Sequence, residues 1–393
     1  MNQRYYLKAL GLVNALGSGI DEVSQRLFIA DTSGMVLEDN LLLNGKARIG
    51  RARGSLENVP NHLSNFSCRN NQLLLTALKQ IENAVESAIT RYGRSRIGIV
   101  LGSSTTGMAE GEAAFRSHKV AGRFPDAYNY SQQEIGTPAV FLAKYLKIYG
   151  PAYTVCTACT SSAKAFQSAR NLLRHGICDV VLVGGVDSLC RTTVNGFFSL
   201  ESISTELTNP MSINRRGINI GEGVALLLLS KEESDIELLG IGESSDAYHM
   251  SAPHPEGRGA DQAMRSALAD AGIAENTIGY MNLHATATPK NDEMESRAVA
   301  RVFPNGIPSS GTKPLTGHTL GAAGATELAF CLLALQANKL PPHVWDGHAD
   351  PNLPSLNLIK TGQTFPTNST RVCMSNSFAF GGSNTSLIIG ESR

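Results

Sequence analysis

The chain has 393 residues, 42% apolar and only 17% charged, and its 34 Lys+Arg balance 34 Asp+Glu to a formal charge of zero. Such a composition excludes wholesale disorder and offers no chain-wide basic footprint, so no nucleic-acid partner is expected. The length leaves room for two or three domains or one large fused unit.

Strand-like and helix-like segments alternate almost throughout. Tyr5–Val13 reads as a strand ending at a Gly turn, and Gln72–Tyr92 as one long amphipathic helix with Leu74, Leu78, Ile81 and Val85 on its apolar face. Arg96–Leu101 is a buried strand running into GSSTTG, Ser131–Tyr149 a helix and Tyr153–Val155 a short strand. Then come a helix over Thr160–His175 and strands over Val180–Gly184, Gly223–Ser230 and Ile236–Ser244. Gly259–Ala271 is a helix, Ile278–Leu283 a strand, Asp292–Val302 a helix and Gly321–Ala337 a long apolar helix. Arg371–Ser377 and Thr385–Ile389 close the chain as strands. Continuous Val/Ile/Leu strands between helices predict a sheet covered on both faces. The pattern restarts near Ile236, which predicts two similar α/β halves, 1–235 and 236–393, packed as one body.

The start of the chain is too polar for a secretory signal, and runs such as Val224–Leu229 are too short to span a bilayer, so no transmembrane segment and a cytoplasmic location are expected. Seven cysteines at irregular spacing (68, 156, 159, 178, 190, 331 and 373) read as reduced thiols.

Cys159, in TVCTACTSSAKAF, follows a strand and a tight turn and precedes a helix. Unpaired N–H groups and the positive helix end there favour a thiolate and could hold an oxyanion. Against this stand a small buried hydrophobe, and a redox C-x-x-C pair with Cys156. A zinc site would need further ligands at matching spacing, and none is found, so no metal is expected. Two histidines tip the balance. His284 in NLHATATPKND ends a strand, and His318 in GTKPLTGHTLGAAGATE follows a Gly turn. Neutral imidazoles at such positions can hold a developing negative charge. Lys313 could fix the local charge, and Glu327, nine residues after His318, could reach back towards the site. In MSNSFAFGGSNTS, Gly381–Gly382 permit a sharp turn, and the Phe380 amide is a second candidate oxyanion donor.

TACTSS, HATATP, TKPLTGHTLGAAGATE, NSFAFGGSNTSL and SSDAYHMSAP (244–253) stand in one order over nearly the whole chain. Together they resemble the β-ketoacyl-[acyl-carrier-protein] synthases of the type I/II elongating class. The resemblance implies the thiolase fold, an α/β architecture of duplicated βαβ halves in five α/β/α/β/α layers, and a dimer. It implies a decarboxylating Claisen condensation in which Cys159 carries the acyl group and His284 and His318 assist malonyl decarboxylation and stabilise the enolate. Lys313 and Glu327 would support them. The amides of Cys159 and Phe380 would form the oxyanion hole, with Phe380 as gate. Ser251, Thr286 and Thr288 would contact the phosphopantetheine arm, and Thr105 would limit the acyl pocket. No cofactor of its own is implied, because the 4'-phosphopantetheine arrives on the acyl carrier protein.

The chain departs from the family pattern in places. Ala379 and Ala285 stand where Gly is usual, and Ser212, Arg216 and Ile218 where Asp, Asp and Phe are expected. Gln132, Gln133 and Glu134 replace mostly apolar neighbours of the acyl tunnel, and a polar tunnel suits a plain alkyl chain poorly. These features are similar to the ketosynthases of aryl polyene clusters, which pair with a homologous chain-length factor; the partner is thus expected to be a homodimeric copy or such a factor. Housekeeping fatty-acid elongation is the alternative. A non-catalytic chain-length factor is a third reading, opposed by Cys159 and both histidines. A thiolase would want a second catalytic Cys near the C-terminus, and a CoA-priming synthase one His and one Asn. Arg170, Arg174, Arg215 and Arg216 are the candidate basic patch for the carrier.

Overall fold

The computed structural model describes residues 3–366 and 371–392. Five main strands from each part of the chain build one mixed sheet system. In the first part, Ile97–Gly102 runs parallel to Ala152–Val155 and to Val180–Asp187, which is antiparallel to Gly223–Ser230, itself antiparallel to Tyr6–Asn14. In the second, Tyr280–Asn282 runs parallel to Pro308–Ser310 and to Val372–Phe378, which is antiparallel to Ser383–Glu391, itself antiparallel to Ile236–Ser245. Numbered by position in the chain, both sets have the order 3-2-4-5-1 with the same pattern of parallel and antiparallel neighbours. The two first strands meet each other through only two pairs, Tyr6↔Glu237 and Leu7↔Ile236.

The layers follow from burial. Helix Ala323–Ala337 is apolar all round and buried from Ala323 to Leu335, so it must be covered on every side. It touches strands of both sets and packs on helix Ser161–Arg174, placing both helices in the middle layer. Although Leu320–Ala337 is long and apolar enough to cross a membrane, it lies inside the fold. Arg69–Gln80 and Thr137–Leu146 cover the outer face of the first set, and Arg258–Ala271 that of the second, where Pro289–Val302 packs against it. The outcome is the thiolase fold in its five-layer arrangement.

Two expected helices are shorter or broken. Gln72–Tyr92 divides into Arg69–Gln80 and Glu82–Tyr92 at Ile81, whose φ of −119° and ψ of 13° are not helical. The first ends where the Gln80 carboxamide clasps the backbone N–H and C=O of Leu12. Ser131–Tyr149 is α-helical only over Thr137–Leu146, after a short 3-10 turn at Tyr130–Gln132, because Pro138 is confined to a first turn. Ahead of it Gln132 forms a capping box with Asn129. Its amide group donates to the Ser67 carbonyl and its oxygen accepts from the Asn129 N–H, so both of its ends are used by backbone. That corrects the expectation of a polar tunnel lining at Gln132. Glu134 is exposed. Helices Ile20–Phe28, Met108–Ala121 and Arg191–Ser199 were not expected from sequence.

Candidate active site

Strand Ala152–Val155 delivers the chain to a tight turn before helix Ser161–Arg174. Ala158 takes a left-handed φ of 52°, an uncommon conformation for a residue with a Cβ, and throws Cys159 into the interior. Thr157 N–H donates to the Ser161 hydroxyl, which donates on to the Ala158 carbonyl, so the helix start holds the turn. His318 arrives from the other half. Its N–H donates to the Asn219 carbonyl at 2.7 Å, and its carbonyl accepts from Gly221 at 2.9 Å. The ring Nε2 then lies 3.0 Å from Cys159 Sγ.

His284 stands edge-to-face with His318, with ring centroids 5.3 Å apart. Its N–H and that of Ala285 donate to the two oxygens of Glu295, each at 2.7 Å. Lys313 Nζ lies 3.4 Å from His284 Nδ1, donates to the His284 carbonyl and pairs with Glu327. Cys159, His284, Lys313, His318 and Glu327 are all buried.

The electrostatics follow from that burial. Desolvation and the Lys313 ammonium hold His318 well below the ordinary histidine range, and the same two causes plus His318 act on His284. Both rings are therefore neutral at physiological pH. Burial pushes Glu327 up to about 7 against the pull of Lys313, and Glu295 up to about 8 against the N–H bonds it receives. The sequence-based expectation of a free thiolate at Cys159 is corrected. Burial pushes its thiol up to about 11, although Lys313 and the backbone N–H groups of Phe380 and of Cys159 itself pull it down. At rest Cys159 is a thiol beside a neutral imidazole.

The backbone N–H of Phe380 faces the sulfur closely enough to pull its pKa down. Strands Val372–Phe378 and Ser383–Glu391 form the expected hairpin, turned by Gly381 and Gly382 at φ 89° and 81°. Thr160, next to Cys159, ties that turn to the helix start through a 3.1 Å hydroxyl contact with Ser383, and Phe380 packs on Phe197. Ala285, in contrast, is left-handed at φ 42°, where glycine would be free. Ala379 is not, so its Cβ strains nothing locally.

Thr286 and Thr288 are buried with hydroxyls 3.0 Å apart. Ser251 lies on the partly exposed loop after Ser245, with its N–H donating to His249 Nδ1. The Thr105 hydroxyl and N–H are both committed to Asp187. Among the four arginines, Arg170 pairs with Asp270 and Arg215 with Asp350, so only Arg174 and Arg216 remain exposed and free of a carboxylate partner among the described residues. Half of the expected basic patch is therefore neutralised.

Ligand atoms of Cys159, His284 and His318 lie within 4.8 Å of one another, close enough to hold a metal. Lys313 places an ammonium beside them, which opposes a second cation, so the donor set fits nucleophilic chemistry better than a metal cradle. Sequence reasoning missed Glu295 and Asp187. Glu295 carried one signal, an acidic residue beside Met294 on a helix face that also buries Ala298 and Val299.

Comparison with known proteins matches residues 57–235 to the β-ketoacyl synthase N-terminal domain and 236–345 to the C-terminal domain. Nodulation protein E of Rhizobium meliloti is 32% identical over 304 residues, 74% of this chain and 75% of that protein. The 3-oxoacyl-[acyl-carrier-protein] synthase 2 of Coxiella burnetii is 30% identical over 331 residues, 77% of each. Among solved structures, a ketosynthase (ApeO) in complex with its chain length factor (ApeC) from Xenorhabdus doucetiae is 47% identical with a TM-score of 0.94, covering 99% of this chain and 98% of that one. A β-ketoacyl synthase from Burkholderia phymatum is 29% identical with a TM-score of 0.86 over the whole of both chains. With both family domains matched and Cys159 gathered with His284 and His318, the chain belongs to the β-ketoacyl synthases, acyltransferases that form carbon–carbon bonds.

Proposed function

We propose that Cys159 is the acyl-carrying nucleophile, and that His284, His318, Lys313 and Glu327 complete the catalytic set. The observation that carries the reading is the 3.0 Å contact of Cys159 Sγ with His318 Nε2 inside a buried cluster. In the first step Sγ attacks the acyl thioester of a carrier, the carrier thiol leaves, and the proton of Cys159 passes out through the neutral His318. In the second, the C–CO₂ bond of a malonyl thioester breaks and its electron pair forms an enolate. Neutral imidazole N–H groups of His284 and His318 hold that negative oxygen. The enolate carbon then attacks the Cys159 thioester, the amides of Cys159 and Phe380 hold the tetrahedral oxyanion, and Sγ leaves with a β-ketoacyl product on the carrier.

The substrates arrive on the 4'-phosphopantetheine arm of an acyl carrier protein, and no other cofactor takes part. Thr286, Thr288 and Ser251 line the arm's path, and Thr105 limits the acyl pocket. The functional units are the halves 1–235, bearing the nucleophile, and 236–393, bearing both histidines; the repeated strand order supports that division. The pathway is aryl polyene or related specialised lipid synthesis in the cytoplasm, with a homologous chain-length factor as partner. The 47% identity to a ketosynthase solved with its chain length factor supports the pairing. Housekeeping fatty-acid elongation is favoured by one observation, the likeness to a 3-oxoacyl-[acyl-carrier-protein] synthase 2.

Intact-mass analysis after incubation with acyl-carrier protein tests the site. The wild type gains the acyl mass and Cys159→Ala does not; a mass gain that survives in Cys159→Ala rejects the nucleophile. Extension of saturated long chains by a lone homodimer, as efficiently as of polyenoyl chains, would reject the pathway.

A further inference from the structure

Strand Val180–Asp187 ends in a carboxylate that is fully buried and has no cationic partner among the described residues. Asp187 instead collects five hydrogen bonds. Its Oδ1 accepts the Ser103 hydroxyl at 2.9 Å, the Ser104 and Thr105 N–H groups at 2.7 Å each, and the Thr105 hydroxyl at 2.8 Å. Its Oδ2 accepts the Ala322 N–H at 3.2 Å. The two oxygens therefore hold two different pieces of chain.

Each piece leads to a reacting group. Ser104, whose N–H Asp187 fixes, turns its hydroxyl to the carbonyl of Ala158 at 3.4 Å, the left-handed residue just before Cys159. Ala322 closes the short 3-10 turn Leu320–Ala322 that follows His318, and Leu320 in it is itself left-handed at φ 53°. The packing leaves no slack, since a Cβ on Gly321 would meet Ser104 Oγ at 2.6 Å and Asp187 Oδ2 at 2.8 Å. Strained turns of this kind persist only where their surroundings over-determine them.

We propose that Asp187 is a positioning residue that sets Cys159 and His318 at reacting distance, one carboxylate oxygen acting on each half of the site. The inference rests on the reading of the site given above. A carboxylate is required because every group facing it is a donor. An asparagine has one acceptor oxygen, and its NH₂ would face either the Ala322 N–H or the four groups of Ser103–Thr105, so one arm is always lost.

Asp187→Asn, Ser104→Ala and, as a stability control, Asp179→Asn test this. Asp179 flanks the other end of the same strand and pairs with Arg96 on the surface. Acylation of Cys159 is followed by intact mass, and carbon dioxide release is measured from malonyl-carrier protein, each per folded molecule. Asp187→Asn slows both steps tenfold or more, through kcat, with KM within twofold. Ser104→Ala cuts only the nucleophile arm, so acylation slows several-fold while decarboxylation is unchanged. Asp179→Asn lowers the melting temperature and leaves both rates alone. Wild-type rates in folded Asp187→Asn, or a loss confined to KM, overturn the proposal. If Asp187→Asn does not fold, Ser104→Ala decides alone: equal loss or no loss in both steps overturns it. A wild type that neither acylates nor releases carbon dioxide fails the functional reading instead.

Discussion

Cys159 and His318 stand 159 residues apart in the chain and 3.0 Å apart in space. Cys159 lies in the stretch matched to the N-terminal family domain and His318 in that matched to the C-terminal one. Removing the imidazole leaves a thiol that burial holds near pH 11 without a neighbour to take its proton. His318→Ala should lower condensation by about a hundredfold or more, as loss of a positioned proton acceptor or oxyanion donor does. Single-turnover acyl transfer at pH 7.5 checks this, and a loss below threefold would exclude His318 from the chemistry.

Lys313 and Glu327 form an ion pair whose side chains are 2% and 4% exposed. Breaking such a pair from one side leaves an uncompensated buried charge. Lys313→Met should destabilise the fold by about 3–5 kcal/mol. Lys313→Met/Glu327→Gln should recover much of that loss while remaining inactive. Urea unfolding of the three proteins measures it; a double variant no more stable than the single one contradicts the account.

A Cβ placed on Gly311 would lie 2.4 Å from the Cβ of Ala285, and its next neighbour is 3.5 Å away. Gly311→Ala should therefore cost about 1–3 kcal/mol by overpacking. Ala285→Gly removes the single clash and also relieves a left-handed alanine. In that background Gly311→Ala should be nearly neutral, giving a coupling of about 1 kcal/mol or more in a double-mutant cycle. Additive losses would show that the strain lies elsewhere.

Burial raises the thiols of Cys68 to about 12 and of Cys159, Cys178 and Cys190 to about 11. An unfolded thiol ionises near pH 8.5. The folded chain thus keeps protons that the unfolded chain releases between those values. Stability contributed by the neutral thiols is fully present below about pH 8.5 and is lost as pH rises towards 11. Denaturation midpoints in reducing buffer should fall from pH 8 to pH 10; a flat profile would contradict this.

Much of the site was legible because its residues sit in local motifs. TACTSS, HATATP and the run to Glu327 each carry a turn and a reactive side chain within a few residues. What stayed hidden depends on distant pairing. Glu295 matters because its carboxylate reaches back eleven residues to His284, and Asp187 because two separate turns converge on it. The break at Ile81 was equally unreadable, since its cause is the strand at Leu12, 68 residues from Gln80. Gln132 misled for the same reason: its polarity serves the Ser67 carbonyl and the Asn129 N–H rather than a substrate.

The short strand Gly17–Ser18 pairs only with Val13 and Asn14 of strand Tyr6–Asn14, whose long antiparallel partner in the first part of the chain is Gly223–Ser230. A ribosome adding about 5–20 residues per second needs roughly 11–45 seconds to pass from one to the other. Throughout that time Leu7, Leu10 and Leu12, all buried in the finished protein, lack their strand partners. The first strand made is among the last to be placed, so the nascent chain carries an open apolar strand for most of its synthesis.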